Sequence, residues 1–470
     1  MKTRCKTTMS PATRPAEKCQ AKPLSLDART LNLLQAPIIP LLLKLAWPNM
    51  LIMLAQASTG LIETWWIAKL GAQSLAGMAL VFPVVMLLTM ISAGSLGGGI
   101  SSAVARALGA GRQIEADGLV LHAIVINIVT SMVLSLVFLI FGEPIYWAMG
   151  GKDETLQAAL TYSNVIFAGN IFLWLMNGLA SVIRGTGNML FPALVTCIGT
   201  LLLIPLSPLL IFGFGPIPAF GITGGGIAML IFYFLGSLAM WGYIISGRNA
   251  VRFRWVRLRW ANINSILHIG GLSAINSLLT TVIMIGATAL VASVADFNAV
   301  AGFGTGARIE YLLIPLIFGI GAPLVALVGT NIGAGQHQRA LSIALTGGAF
   351  AFVVTEIIGI LAAIWPEQWL ALFSAEPDMI AVGSAYLRIV GPCYGFFGLG
   401  LALYFASQGV GRMFWPILSG VIRLIVALGG GWYGLYISGT SNDIFIALAA
   451  ALVCYGVIIA TAVRFGVWFR

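Results

Sequence analysis

Asn49, Gln56 and Glu63 recur at seven-residue intervals within one apolar stretch, residues 46–75 (AWPNMLIMLAQASTGLIETWWIAKLGAQSL). Seven helical residues make nearly two full turns, so the three side chains share one stripe of a single helix. Two amides and a carboxyl on such a stripe are groups that can hold and release a proton or a small cation. Facing lipid, the carboxylate alone would cost roughly 2.5–3.5 kcal/mol or more, so the stripe is expected to face protein or water. A desolvated pocket favours the neutral form of a carboxylic acid. Opening toward a more acidic outer side would then protonate Glu63, and opening inward would release the proton. A plainer reading places Glu63 at the membrane interface, a turn or two from the helix end, beside Trp65, Trp66 and Lys69.

A second set of candidates lies farther along. Arg308 and Glu310 fall midway through an apolar stretch, two residues apart and so on different helix faces. Each needs a partner elsewhere, with Arg388 or Arg423 available to Glu310. A structural ion pair and a second coupling site are both open readings, and Glu356, on the ninth span, is a further candidate that reads first as a packing or interfacial acid. Asn170, Asn177 and Arg184 repeat the seven-residue interval, and Asn276, Thr280 and Thr281 offer an opposite polar wall. Interhelical hydrogen bonding explains such stripes as well as substrate lining does. Trp47, Trp174, Tyr394, Phe396 and Phe397 are candidate aromatic faces for a cation. There is no HExxH, no GxSxG and no cysteine pair at metal-binding spacing, so neither catalysis nor a metal or other cofactor is expected.

These residues must be positioned by membrane-spanning helices. Of the 470 residues 59% are hydrophobic and only 9% charged, against roughly 25% charged in soluble domains. Hydropathy divides the chain into about twelve spans: 38–67, 73–95, 118–140, 160–183, 189–213, 222–246, 264–292, 298–328, 341–364, 380–406, 413–437 and 443–467. The net charge of +10 does not call for nucleic acid, because alternate loops sort it. One set holds Arg106, Arg112, Arg184, the cluster 248–259, Arg339, Arg412 and Arg464. The other holds Lys69 and Lys152 among acids. Cations on one side predict both termini in the cytoplasm. Residues 1–37 read as a basic cytoplasmic tail, since they lack the apolar core of a signal peptide.

Sliding the chain by 224 residues superposes Gly109-Ala110-Gly111 on Gly333-Ala334-Gly335, Tyr162 on Tyr386, and Phe191-Pro192 on Trp415-Pro416. The offset equals six spans, so the halves are parallel repeats. The fold class is therefore an all-α polytopic membrane protein of two six-helix lobes, 38–246 and 264–470. Between them an Arg-rich cytoplasmic segment, 247–263, reads equally as an amphipathic helix on the anionic leaflet or as a basic linker.

Thr59–Leu75, the paired loops ALGAGR (107–112) and NIGAGQ (331–336), Arg184-Gly-Thr-Gly-Asn188 and Ser207-Pro-Leu-Leu-Ile-Phe-Gly213 resemble the multidrug and toxic compound extrusion (MATE) transporters. Their order, spacing and duplication carry the likeness. The resemblance implies a V-shaped pair of lobes and a bacterial inner-membrane antiporter. It would expel organic, usually cationic and amphipathic, small molecules in exchange for H+ or Na+, acting as a monomer among membrane lipids. Glu63 falls on the first-helix acidic position of the DinF-like branch. That branch often carries an Asn and an Asp on the fifth helix where this chain has Leu203 and Ser207, leaving Ser207 as a neutral helper. The seventh-helix acid of the NorM-like branch is replaced by Thr281 or another neutral residue. A lipid-linked oligosaccharide flippase, or another lipid flippase of related architecture, is the alternative, kept open by Arg308, Arg388 and Arg423.

Overall fold

The computed structural model describes residues 27–294, 296–374 and 376–469. Most of the basic tail, including Lys2, Arg4, Lys6, Arg14, Lys18 and Lys22, lies outside the described residues. The helices in chain order are α1 (Ala28–Gln35), α2 (Ile38–Ala68), α3 (Ala72–Met90), α4 (Gly97–Gly109), α5 (Gln113–Ala148), α6 (Asp153–Ala168), α7 (Asn170–Gly185), α8 (Leu190–Phe212) and α9 (Ile222–Ile245). They continue as α10 (Trp260–Ala292), α11 (Phe297–Gly333), α12 (His337–Ile364), α13 (Pro366–Leu370), α14 (Pro377–Val390), α15 (Tyr394–Val410), α16 (Phe414–Leu424), α17 (Gly430–Ser438) and α18 (Ser441–Arg464). Eleven helical spans among the described residues are long and apolar enough to cross a bilayer; α6 and α7, bent by 49° at Gly169, make a twelfth when taken together. Every backbone polar group at membrane depth must be satisfied within the span, and helices achieve this.

The second span is longer than its hydropathy predicts. It runs from Ala72 to Gly109, with a π-helical turn at Ile91–Leu96 joining α3 to α4. Hydropathy ends this span at residue 95, just before the run Gly97-Gly98-Gly99, which admits neighbours instead of ending the helix. A Cβ at Gly97 would stand 2.5 Å from the Ser181 hydroxyl, one at Gly98 2.1 Å from Gln408 Oε1, and one at Gly99 2.7 Å from the Ile266 carbonyl. A second π turn, Ile425–Gly429, joins α16 to α17. At the repeat offset of 224 residues, Ile91 meets Pro315 of α11 and Gly429 meets Pro205 of α8. Each half thus perturbs the regular hydrogen-bond ladder of its second and fifth spans at matching depth, one copy by a proline within a continuous helix and the other by a π turn.

One apolar core is built almost wholly from residue 269 onward, joined by Leu33, Leu41, Leu42, Leu45 and Met189. The other three are built from residues 67–266. The two halves meet along a seam at the Arg-rich end. A Cβ on Gly109 would lie 2.0 Å from the Thr330 carbonyl, and one on Gly333 2.2 Å from the Arg106 carbonyl. Only glycine lets these backbones touch. Gly111 (φ 69°) and Gly335 (φ 75°) turn the chain after each contact in the left-handed region, as the paired Gly-Ala-Gly loops predict.

Two stretches differ from expectation. The chain is helical from Ala28, within the expected tail, because Leu33 and Leu34 are buried and the Leu33 carbonyl accepts from Asn331 Nδ2 at 3.3 Å. The Arg-rich segment forms no amphipathic helix of its own: residues 251–259 carry no regular secondary structure and are tied to α5, and α10 begins at Trp260. Backbone N–H groups of Arg252 and Arg259 donate to Asp117 Oδ1 (2.9 Å) and His122 Nε2 (3.0 Å). Val256 packs on Gly118. These two backbone bonds to α5 side chains anchor the segment at both ends in place of a helical ladder.

Candidate functional site

Glu63 is 1% exposed, enclosed by α2, α8 and α9. The Ser207 hydroxyl on α8 donates to its Oε2 at 3.0 Å, whereas Oε1 is buried without a hydrogen-bond partner. Gly225 of α9 makes room for that oxygen, since a Cβ there would stand 2.1 Å from Oε1 and 3.1 Å from Ile67 Cδ1. Tyr162 and Tyr233 lie within electrostatic reach of the carboxyl. One turn along α2, Thr59 Oγ1 and Thr200 Oγ1 of α8 are 3.0 Å apart and buried. The pocket is capped by an apolar cluster that includes Ile67, Met78, Tyr162 and Ile211. A carboxyl in such a place is either neutral or needs a bound cation, because burying an uncompensated charge is costly.

The stripe on α2 does not act as one site. Its members are separated by about 10 Å per seven residues along the axis, and each meets different neighbours. Gln56 is half-buried. Asn49 is fully buried in the seam, where its Nδ2 donates to the carbonyls of Phe318 (2.9 Å) and Gly319 (3.3 Å). Pro323, four residues past Gly319, has no N–H to return to that carbonyl, so it is free to accept from Asn49.

In the second half, Arg423 of α16 and Glu310 of α11 form an ion pair at 2.5 Å with both side chains buried. The Arg423 guanidinium also lies 4.9 Å from the Phe397 ring and 5.5 Å from the Tyr455 ring. Of the two partners open to Glu310, the structure selects Arg423; Arg388 pairs instead with exposed Glu367 at 2.5 Å. Arg308 points away, its guanidinium 5.2 Å from the Phe373 ring. Glu356, half-buried, accepts the Gly395 N–H at 2.7 Å. Tyr394 is buried, its hydroxyl donating to Tyr386 at 3.4 Å.

Among the candidate lining residues, Asn170 and Asn177 are buried on α7, and their Nδ2 donors have no partners. Arg184, two turns farther along, is buried too; it donates to Ser181 at 2.8 Å and lies 5.8 Å from the Phe318 ring across the seam. Asn276 is buried on α10, Thr280 is half-buried, and Thr281 is exposed, each threonine bonded to a carbonyl four residues back. These residues do not converge on Glu63.

Sequence reasoning missed the polar seam. Gln408 Nε2 donates to Ser273 Oγ (2.8 Å), Tyr404 OH (3.0 Å) and the Gly94 carbonyl (3.2 Å). Ser102 donates to the carbonyls of Gln408 and Gly409, and Arg106 donates to Ser102 and to the Gly409 carbonyl. The glycine runs at 97–99 and 224–226 were the available signal for close approach.

Comparison with known proteins accords with this architecture. The MatE family model matches residues 48–209 and 273–432, one copy in each half. The FAD transporter of Shewanella oneidensis is 29% identical over 404 residues, covering 84% of this chain and 88% of the relative. The probable multidrug resistance protein NorM of Thermotoga maritima is 26% identical over 392 residues, covering 82% and 83%. A crystal structure of MATE in the bent conformation superposes with a TM-score of 0.86 over 93% of this chain and 97% of that one, at 23% identity. The chain therefore belongs to the MatE family and is a polytopic membrane transporter of small organic compounds, not an enzyme.

Proposed function

We propose that the protein is a secondary antiporter of the bacterial inner membrane, exporting organic compounds by alternating access in exchange for H+ or Na+ bound at Glu63. Both termini would lie in the cytoplasm, so that the Arg-rich seam is the inner gate. The observation that carries this reading is the Glu63 carboxyl itself, with one oxygen held by Ser207 and the other unpartnered beside Gly225. A proton or Na+ on that oxygen neutralises the charge; its release leaves a buried carboxylate that favours rearrangement of α2 against α8 and α9. The buried donors and inner seam contacts are suited to a cycle in which this end closes while the other opens.

The cargo proposed first is cationic and amphipathic, as the resemblance implies. A second reading, anionic cargo, is favoured by buried Arg184 with the unpartnered donors of Asn170 and Asn177 on its helix. The relative described as an FAD transporter points the same way. Inverted vesicles supplied with ethidium in the outside medium, given H+ and Na+ gradients separately, test coupling, and competition by FAD tests cargo charge. Glu63→Gln is expected to abolish gradient-driven uptake. Wild-type uptake by that variant under both gradients would remove Glu63 from the mechanism.

A further inference from the structure

A pocket at the Arg-rich end of the seam plays no part in coupling at Glu63. Its volume is about 400 Å³, and it is walled by Arg106 of α4 and, from the other half, by Asn264, Ser265 and His268 of α10 and by Gly411. Arg106 is fixed in place by Ser102, by the Gly409 carbonyl at 3.2 Å and by Ser265 Oγ at 3.4 Å, all of them neutral. Among the described residues no carboxylate lies within ion-pair distance of it. Glu115, within electrostatic reach, is engaged by Arg112 at 2.8 Å.

The remaining wall is shaped for this guanidinium. Gly411 adopts φ 87°, and a Cβ there would stand 2.8 Å from the Arg106 Nη1. A residue other than glycine would strain the turn and push the cation out of the pocket. The Asn264 amide, the Ser265 hydroxyl and the exposed His268 ring add donors from the opposite side. A guanidinium without a carboxylate partner, facing neutral donors across an open pocket, matches an oxyanion; Nη1 is taken by Ser102 and the Gly409 carbonyl, which leaves the Nη2 side to meet phosphate oxygens.

We propose that this pocket binds a phosphate-bearing anion, and that the bound anion ties Arg106 of the first half to α10 of the second, holding the inner end closed. The ligand is either a soluble phosphate or the headgroup of an anionic phospholipid; the recognition chemistry is shared. Anion binding goes beyond transport at Glu63 and needs nothing from it; that the end held closed is the inner one rests on the orientation proposed above.

Binding is tested on the purified full-length protein, without transport. In detergent, inorganic phosphate and pyrophosphate are titrated against sodium chloride of equal ionic strength while the melting temperature is followed. In parallel, nanodiscs of phosphatidylglycerol and of phosphatidylcholine are compared by hydrogen exchange over residues 407–412. The expected result is a saturable rise in Tm, or slower exchange in phosphatidylglycerol, weakened about tenfold by His268→Ala and lost in Arg106→Gln. His268 stands on the exposed rim, so its variant decides the matter should Arg106→Gln fail to fold. A response to free phosphate identifies a soluble ligand, and one confined to phosphatidylglycerol a lipid headgroup; both support the proposal. No response in either arm, or one unchanged in His268→Ala and in Arg106→Gln, overturns it.

Discussion

Replacing Gly225 by alanine perturbs the Glu63 carboxyl, proposed above as the coupling group, without removing it. The added Cβ would stand 2.1 Å from Glu63 Oε1 and 3.1 Å from Ile67 Cδ1. Restoring ordinary contact at about 3.5 Å requires the carboxyl to withdraw by more than about 1 Å. That movement lengthens the 3.0 Å bond from Ser207 beyond hydrogen-bonding range or turns the carboxyl away from it. A hydrogen bond to a charged group is worth about 1.5–3 kcal/mol, which corresponds to roughly a ten- to hundredfold change in the ion concentration needed for half-maximal transport. The helix itself gains, since alanine is about 1 kcal/mol better than glycine in a helix interior. The two effects therefore separate: folding is retained and ion dependence shifts. Gly242, on the same helix, supplies the control as Gly242→Ala, because a Cβ added there would meet nothing within 4 Å. In proteoliposomes, ethidium transport is followed across a series of imposed H+ and Na+ gradients. Gly225→Ala with the same ion dependence as Gly242→Ala would refute the placement of the coupling ion beside Glu63.

Further outcomes follow from the other buried contacts. Glu310→Ala strands Arg423 in the core and is expected to lower stability by about 3–5 kcal/mol, whereas Glu310→Met with Arg423→Met costs much less; denaturant titration in detergent distinguishes them. Gly109→Val sets side-chain atoms against the Thr330 backbone, which cannot rotate away, so spin labels on the two Gly-Ala-Gly loops should report a widened inner seam and transport should fall. Asn49→Leu leaves the Gly319 carbonyl without its donor and is expected to cost about 1–3 kcal/mol, read as faster hydrogen exchange around residues 318–323.

Much of the fold is legible in the sequence because a bilayer forces periodic, apolar helices of near-constant length. Hydropathy stops short of the glycine run at 97–99, since it cannot see the Gln408 side chain that requires Gly98. At the site, the seven-residue interval identifies a protein-facing stripe, but a shared face is not a shared pocket. Glu63 meets Ser207 near one end of α2 while Asn49 binds the seam near its middle. Only its position in a repeated family pattern points to Ser207. The seam roles of Arg106 and Gln408 escape notice because each also reaches a backbone carbonyl in the opposite half, 303 and 314 residues away, which no local spacing reveals. The Arg-rich segment looks amphipathic because alternating arginine and apolar residues serve a non-helical strap as well as a helix surface.

The central claim is that one carboxyl exchanges its cation as cargo crosses. The most direct measurement places purified protein in liposomes with a pH dye and a sodium dye inside, adds substrate, and records ion movement in wild type and in Glu63→Gln. Cargo-dependent movement of H+ or Na+ in wild type, absent from Glu63→Gln, is the result this account predicts. Equal ion movement in both proteins would contradict it.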